Sequence, residues 1–517
     1  MIRVFNFRPI VAVLLSIVCG ICCFLMLSEA YYVLSAVILP LPVICFFVYA
    51  LIRKKFGYKI VVFALVCQII ALFGFFSVYI SFNSSFYSGN DVCAVSGRYV
   101  GKELYGNSFV YYFDDCSFTF NGNDISSAKL DVTAISSEDS DTVTLYNAVY
   151  GNVYTFTAEL SAESKYSSGG KLNRKAFTER RFFGARSDFS DITQCDVKLS
   201  FTEKILFKAR ETLFNGMGKD EAALTYAMLF GDTSEIDRGL LENIRFSGVA
   251  HIFAVSGLHI GIVSSAVMLL FDKLKANKYI SCLFTLAFSF FYCAICGYTS
   301  SSLRAFIMFA VLNAAKLTGR KNDLMNTVSL SALILLTVKP CELFSPGFLL
   351  SYGAVYGICL LTPSLKRIFS FLPESINEAV SVSLAAQTGS LPASVCFFGN
   401  VPMIALLLNL LILPLISVLF IADVIAVALG AITSLPEICL YVPDKITSFF
   451  TAFMRDIDFS SFSLGGTLSW FVFPLCAAGI VFASDKCNLG YKTKALLFTV
   501  CFGFSMIFSQ IAAFISV

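Results

Sequence analysis

Histidine and charged residues are scarce in this chain. Its 517 residues include two histidines and one tryptophan, and only 14% of the residues are charged. Two imidazoles cannot build the histidine-rich dinuclear site of a metal-dependent hydrolase. The sequence also has no phosphate-binding loop, no His-Glu-x-x-His and no Gly-x-Ser-x-Gly elbow. These absences exclude the common ATP-driven and hydrolytic modules, so we expect no catalytic residues, no cofactor and no metal, and we do not expect an enzyme.

Apolar residues are abundant instead. They make up 57% of the chain, and the mean hydropathy is +0.76, which predicts a polytopic α-helical membrane protein with about 11–13 spans. The positions of Lys and Arg, among them Lys486 to Lys494, predict cytoplasmic loops at those sites and a cytoplasmic amino terminus. The whole assignment is consistent only if Val401 to Thr433 crosses twice as a hairpin bent at Pro414. The spans are predicted at residues 10–27, 31–52, 60–81, 249–271, 279–297, 301–317, 324–338, 344–361, 376–398, 401–433, 468–483 and 495–517.

Composition divides the chain into four predicted regions. Residues 1–81 hold amino-terminal transmembrane helices, 82–200 an extracytoplasmic domain, 201–248 amphipathic or interfacial helices, and 249–517 a polytopic domain. Gly231 is expected to end the first amphipathic helix, and Thr233 or Ser234 to cap the next. A further interfacial helix is predicted over 440–459.

The extracytoplasmic domain is predicted to be a small all-β barrel of the OB type. Alternating patterns indicate strands at 92–100, 108–113, 117–120, 129–135 and 152–160. Tyr111 and Tyr112 are candidates for stacking on bases, although a barrel core needs aromatic residues as well. Three loop cysteines, Cys93, Cys116 and Cys195, leave open one disulfide.

A basic run follows the acidic part of this domain. Such a run either tracks phosphates or forms a solvated loop beside lipid headgroups. The candidate DNA-binding residues in it are Lys171, Arg174, Lys175, Arg180 and Arg181.

Both histidines fall within one apolar stretch that runs from His251 to His259. Ionisable side chains at membrane depth are costly and usually serve a pathway or a site. Ser256 and Gly257 between them loosen the helix. Asp232 nearby is either a loop residue or a pathway residue, and a metal site formed with both histidines is the weaker alternative.

Several short motifs stand in a fixed order: Gly231-Asp232, Ser256-Gly257-Leu258-His259, Ser302-Leu303-Arg304-Ala305, Pro346-Gly347-Phe348-Leu349-Leu350-Ser351, Phe398-Gly399, and Asn409 before Pro414. This order resembles that of the ComEC family of competence membrane proteins. The resemblance implies a channel in the bacterial cytoplasmic membrane that passes single-stranded DNA inward during natural transformation. The pathway candidates are Asp232, His251, Ser256, Gly257, His259, Arg304, Ser351 and Asn409.

The resemblance also implies partners. Besides single-stranded DNA and membrane lipid, these are other competence proteins, namely a DNA receptor and a cytoplasmic motor or single-strand-binding protein. Many relatives carry a carboxy-terminal metallo-β-lactamase-like domain. The sequence up to Val517 contains none, so we expect strand degradation to need a separate nuclease.

Other readings stay open. The same scaffold could carry another anionic solute, or Asp232, His251 and His259 could serve an intramembrane enzyme. Assembly of several copies is also left open.

Overall fold

A computed structural model of the chain describes residues 9–28, 58–85, 89–105, 108–134, 152–162, 183–195, 201–233, 235–253, 255, 257–319, 323–398, 400–402, 404–433, 435–456 and 463–465. These residues form two compact units. The predicted spans at 31–52, 468–483 and 495–517 lie outside the described residues.

One unit contains two apolar helices and a β-domain. Helices α1 (Pro9–Ser28) and α2 (Tyr58–Ser85) match the predicted first and third spans. They pack closely through small residues, because a Cβ on Gly20 would collide with the backbone of Ala71. Close backbone approach at glycine is the usual packing mode of membrane helices.

The β-domain is a small closed barrel. Its strands are β1 (Asn90–Tyr105), β2 (Ser108–Phe120), β3 (Asn123–Ala134), β4 (Val153–Ala162), β5 (Phe183–Ser187) and β6 (Thr193–Cys195). The order β1-β2-β3-β5-β4 closes through pairing of β4 with β1. Only the β3–β5 pair is parallel among the described pairs, and β6 adds to β4.

Two predicted strands, 108–113 and 117–120, form the single strand β2. Asp115 has a φ of 51°, and the register with β3 shifts on both sides of Cys116. Such a bulge lets one strand bend without ending. The alternation of the sequence therefore located the strands but not this continuity.

Aromatic rings fill the barrel core. Tyr111 and Phe113 are each 1% exposed, and their rings pack against Phe189 at centroid distances of 5.2 and 6.4 Å. Cys93 and Cys116 are buried free thiols there, so the disulfide that the sequence left open does not form between them. Burial raises the pKa of the Cys93 thiol to about 11, which keeps it protonated and unreactive.

The helices of the other unit carry the candidate site. They are α3 (Phe201–Gly216), α4 (Lys219–Phe230), α5 (Arg238–Ser247), α6 (Gly257–Lys273), α7 (Lys278–Ile295), α8 (Ser300–Leu317), α9 (Leu324–Val338), α10 (Pro346–Ile368), α11 (Glu374–Phe398), α12 (Ala405–Thr433), α13 (Pro436–Cys439) and α14 (Tyr441–Asp456). Helices α3 and α9 extend a few residues beyond the unit. Short 3-10 helices cover Ala250–Ile252 and Pro340–Phe344, and β7 (Asn400–Pro402) pairs with β8 (Ser463–Gly465).

Three segments among the described residues are long and apolar enough to cross a membrane: Lys278–Ile295, Pro346–Ile368 and Leu407–Thr433. Shorter apolar segments lie within α1, α2, α8 and α9. The chain is thus a mostly helical membrane protein with an inserted small β-barrel.

The predicted hairpin at Pro414 is wrong. Helix α12 runs through Pro414 as one helix of 29 residues. Proline is tolerated inside membrane helices because neighbouring groups satisfy the backbone that it disrupts. The cytoplasmic placement of Lys486 to Lys494 depended on that hairpin and loses its support.

Candidate functional site: a junction of four helix ends

The first motif lies where α4 ends. Gly231 has a φ of 84° and donates its N–H to the Ala227 carbonyl at 2.7 Å, so the predicted helix stop is confirmed. A Cβ on Gly231 would lie 2.9 Å from Cγ2 of Val255. Glycine is therefore required here for its left-handed backbone and for close packing. The cap of the next helix was predicted incorrectly, because Asp237 accepts a hydrogen bond from the Leu240 N–H.

The two histidines lie on different elements. Helix α5 ends at Gly248, whose φ is 80°, and a 3-10 turn containing His251 follows. The next helix starts only at Gly257. The predicted continuous span from Val249 is thus wrong at its start, and the predicted break at Ser256-Gly257 is where the helix begins. Ser256 itself lies outside the described residues.

His251 and His259 have opposite surroundings. His251 is exposed, and its Nδ1 lies 3.2 Å from the Gly248 carbonyl oxygen. His259 is 1% exposed, and its ring stacks on Phe420 of α12 with 4.6 Å between centroids. The buried imidazole therefore connects α6 to α12 through ring packing, whereas His251 contributes to a surface turn.

Arg304 lies where α8 and α10 begin. Its side chain is 2% exposed, although it carries a charge. Its Nη1 and Nη2 atoms lie 3.6 and 3.7 Å from the position that a Cβ on Gly347 would take. Gly347 belongs to the first turn of α10, which Ser345 caps by accepting a hydrogen bond from the Phe348 N–H at 3.1 Å. The guanidinium and the positive end of the helix dipole are thus neighbours, and an anion would be favoured beside both.

Four of the six motifs meet at one place. Gly257 at the start of α6 comes within 3.8 Å of the Ala305 Cβ, measured from an added Cβ. With the Gly231–Val255 and Arg304–Gly347 contacts, this joins the end of α4 to the starts of α6, α8 and α10. We call the residues Gly231, Val255, Gly257, Arg304, Ala305 and Gly347 the motif junction.

Helix α7 contacts the backbone of α4 and α8 beside this junction. Tyr292 donates its hydroxyl to the Leu229 carbonyl at 2.6 Å, and the Cys293 thiol lies 3.6 Å from the Ser302 carbonyl. Cys293 and Cys296 are both buried. The Cys-x-x-Cys spacing therefore serves packing, because a buried thiol behaves as a small hydrophobic group.

The other pathway candidates lie elsewhere on these helices. Asp232 directly follows the junction and is partly exposed, as is Ser351 in α10. Asn409 lies near the start of α12 and is 8% exposed, with its Oδ1 buried and not hydrogen-bonded to any described residue. These three residues are polar pathway candidates that do not belong to the motif junction.

Of the two aromatic candidates in the barrel, one lies in the core and the other is partly exposed. Tyr111 belongs to the core, so its proposed role as a stacking surface is corrected, whereas Tyr112 is partly exposed. Lys171, Arg174, Lys175, Arg180 and Arg181 lie outside the described residues. Most charged residues on the described barrel strands are acidic.

Sequence reasoning missed Asp423. This carboxylate lies inside α12 and is 0% exposed, and neither oxygen is hydrogen-bonded to a described residue. The signal was present, because Asp423 is the only charged residue in a helix of 29 residues. The rule that singled out Arg304 applies to Asp423 equally.

Among the described residues, no group of three or more His, Cys, Asp or Glu side chains could hold a metal ion.

Comparison with known proteins matches the same region. A family model described as Competence protein matches residues 228–486, half of the chain. "ComE operon protein 3" of Bacillus subtilis is 26% identical over 261 residues, which cover 50% of this chain and 33% of that protein. An "Uncharacterized protein" of Aquifex aeolicus is 26% identical over 263 residues, covering 50% of this chain and 57% of its own length.

The chain thus spans about a third and somewhat over half of the lengths of these two relatives. No solved structure matches significantly. The family match begins at Met228, at the end of α4, and includes every residue of the motif junction. This chain belongs to the competence protein family.

Proposed function

We propose that this protein forms a channel in the bacterial cytoplasmic membrane through which single-stranded DNA enters the cell during natural transformation. Family membership and the printed name of the Bacillus subtilis relative support a role in competence. The observation that carries the channel proposal is the convergence of four of the six ordered motifs at one junction between apolar helices, beside the buried cation Arg304. A junction of four helix ends is better explained by a hydrated path than by helix packing that faces lipid.

Polar side chains inside the helical unit support a hydrated path. Ser281, Thr285 and Ser289 are buried at one-turn spacing on α7, and Ser289 exchanges a hydrogen bond of 2.7 Å with Ser264 of α6. On α9 and α10, Ser329 and Tyr356 are joined at 2.8 Å. DNA needs hydroxyl groups and water along its route because its phosphates stay charged.

Arg304 gives this path a single cationic group at the motif junction. Its guanidinium and the first turn of α10 together attract a phosphate. One such site binds weakly, which suits a conduit because a tightly held strand would not move on. We infer that Arg304 orients the backbone of the entering DNA strand and does not hold the strand in place.

The barrel is proposed to receive the strand outside the membrane. The closed five-stranded order supports an OB-type barrel, a fold that often binds single strands through aromatic and basic surfaces. Tyr112 and the basic residues between Lys171 and Arg181 are the proposed contacts. With the three predicted spans that precede the barrel, this placement puts the amino terminus in the cytoplasm, and we propose about 11–13 spans in all.

The protein is proposed to act as a conduit and not as an enzyme. A DNA receptor would deliver the duplex, a separate nuclease would remove one strand, and a cytoplasmic motor or single-strand-binding protein would draw in the other. The driving force then comes from these partners or from a gradient.

Uptake of labelled DNA into the cytoplasm tests the proposal. A deletion strain is complemented with wild type, Arg304→Gln or Arg245→Gln, at matched amounts of protein in the membrane. Arg245 is an exposed arginine on α5 and serves as the control. We expect uptake with wild type and Arg245→Gln, and at least a tenfold loss with Arg304→Gln, because one charge-assisted phosphate contact contributes about 1.5–3 kcal/mol.

Normal uptake in the deletion strain would refute the DNA channel. The same scaffold carrying another anionic solute would then be the better proposal, since Arg304 favours any anion. Flux of small anions into vesicles containing the purified protein, unaffected by added DNA, would support that alternative.

A further inference from the structure

Asp423 is the most deeply buried carboxylate of the described helices. It is 0% exposed, and neither of its oxygens is hydrogen-bonded to a described residue. Buried polar groups almost always have partners, so an exception calls for an explanation. A carboxylate that is both ionised and unpaired would be the most costly arrangement available in this interior.

The position of Asp423 on α12 excludes contact with lipid. Its neighbours Val424 and Ile425 are 42% and 54% exposed and turn outward. Phe420, one turn earlier, holds the His259 ring. Gly430, two turns later, lies so close to α3 that its Cβ would be 2.9 Å from Cγ2 of Thr212. Asp423 therefore lies on the inner side of α12, which packs against other helices.

Other buried polar atoms without hydrogen bonds to described residues lie on the helices that contact α12. They are the Thr225 hydroxyl of α4, the Gln387 amide nitrogen of α11 and the Thr447 hydroxyl of α14. Groups of this kind are normally satisfied by water. The interior around α12 is thus suited to hold water that can carry a proton.

No described cation neutralises Asp423. The helices that pack against α12 include ionisable side chains, but none forms an ion pair or hydrogen bond with this carboxylate. Two of these side chains lie in or near the middle of the packed helices: His259 on α6, near Phe420, and Tyr226 on α4. The others lie nearer to helix ends or on α3: Lys208, Arg210, Glu211, Lys219, Asp220, Glu221, Asp272, Lys273, Glu374, Glu378, Glu437, Cys439, Tyr441, Asp444, Lys445, Arg455 and Asp456.

We propose that Asp423 is a proton-binding site in the membrane domain, neutral while α12 is packed as in this structure and able to release its proton when water reaches it. Protonation removes the charge that the packed interior cannot solvate. Ionisation would favour a looser arrangement of α12 against α6 and α14. The protonation state and the packing of α12 are thus coupled, whatever the protein transports.

Infrared spectroscopy of the full-length protein in a detergent without ester groups tests this directly, because lipid ester carbonyls absorb in the same region as a protonated carboxyl. A protonated carboxyl has a C=O stretching band that an ionised carboxylate lacks. We expect this band in the wild type at neutral pH, its loss in Asp423→Asn, and its retention in Asp272→Asn. Asp272 is an exposed aspartate near the end of α6 and is the matched control.

A second variant keeps the test decisive if Asp423→Asn does not fold. Asp423→Glu retains an acid but moves it by one methylene, so the band should shift and not disappear. Absence of the band in wild type at neutral pH would overturn the proposal, and so would a band unchanged in both Asp423 variants. The measurement contains no DNA, so its outcome is independent of the proposed channel function.

Discussion

The barrel and the helical unit bury opposite kinds of side chain. Among the described barrel residues, the buried side chains are aliphatic, aromatic or cysteine, with the exception of Ser187. The helical unit instead buries Arg304, Asp423, His259 and many hydroxyls. Large apolar residues such as Phe284 and Phe288 of α7 are more than half exposed instead. The barrel therefore has the arrangement of a protein in water, and the helices have that of a protein in lipid with a polar interior.

This difference bears on function. Hydrogen bonds between membrane helices contribute on average only about 0.6 kcal/mol, so stability alone does not explain so many buried polar groups. In the barrel, burial of aromatic rings accounts for the core. The polar interior of the helical unit is what the proposed channel would require, and Arg304 and Asp423 are its most costly members.

The largest expected effect contrasts a phenylalanine in each region. Phe156 is 1% exposed in the barrel core, so Phe156→Ala should lower the free energy of local unfolding by about 3–5 kcal/mol. Phe288 is 51% exposed on α7, so Phe288→Ala should lower the free energy of local unfolding only a little. Hydrogen exchange of barrel and helix amides in the full-length protein, read by mass spectrometry, measures both.

Equal losses of protection at the two sites would break the comparison. It would mean that Phe288 packs against protein and not lipid. Phe113→Leu provides an intermediate case in the barrel, because it removes the ring while keeping most of the apolar volume.

A smaller effect is expected where α10 and α11 cross. Glycines on both helices allow their backbones to touch, since a Cβ on Gly389 would collide with the Gly353 carbonyl oxygen and lie 2.8 Å from the Gly357 Cα. Gly389→Ala should therefore destabilise this pair by about 1–3 kcal/mol through overpacking. Gly261→Ala on α6, with no atom within 4 Å of the added Cβ, is the control and should be neutral.

The measurement is thermal unfolding of the detergent-solubilised protein, followed by helical circular dichroism. A melting temperature for Gly389→Ala as high as that for Gly261→Ala would contradict close backbone contact between α10 and α11. In that case the two helices would be held by their side chains alone.

Sequence reasoning located helices better than contacts. The bounds of α9 agree with the prediction at both ends, because a long apolar run between polar segments defines a membrane helix by itself. Pro414 misled because proline breaks helices in water but not reliably in lipid. The meeting of Gly257 with Ala305, and of Arg304 with Gly347, could not be foreseen, because it depends on how three helices pack.

The barrel and site residues show the same limit. Alternation placed the strands, yet it could not decide whether Tyr111 or Tyr112 faced inward until the register of β2 was known. Asp423 could have been found from the sequence, since an acidic residue within an apolar helix is a signal in itself. That no described residue is hydrogen-bonded to its carboxylate could not be predicted from the sequence.

The smallest expected effect depends on pH and is confined to the barrel. Asp191 accepts hydrogen bonds from the hydroxyl and the N–H of Thr157, the latter at 2.9 Å. These bonds hold the pKa of the Asp191 carboxyl below its ordinary value. A carboxyl with a lowered pKa in the folded state stabilises the fold at pH values above its unfolded pKa, and this contribution is lost as the pH falls through the folded pKa.

Because Asp191 is exposed, solvent screening limits the contribution to below about 1 kcal/mol. Asp191→Asn should therefore speed hydrogen exchange in β4 modestly at neutral pH, and the difference from wild type should vanish in acid. Glu159→Gln, which changes an exposed carboxylate on the same strand and leaves the Asp191–Thr157 hydrogen bonds intact, is the matched control. A difference that persisted in acid would mean that Asp191 acts through the shape of the 187–191 turn and not through its charge.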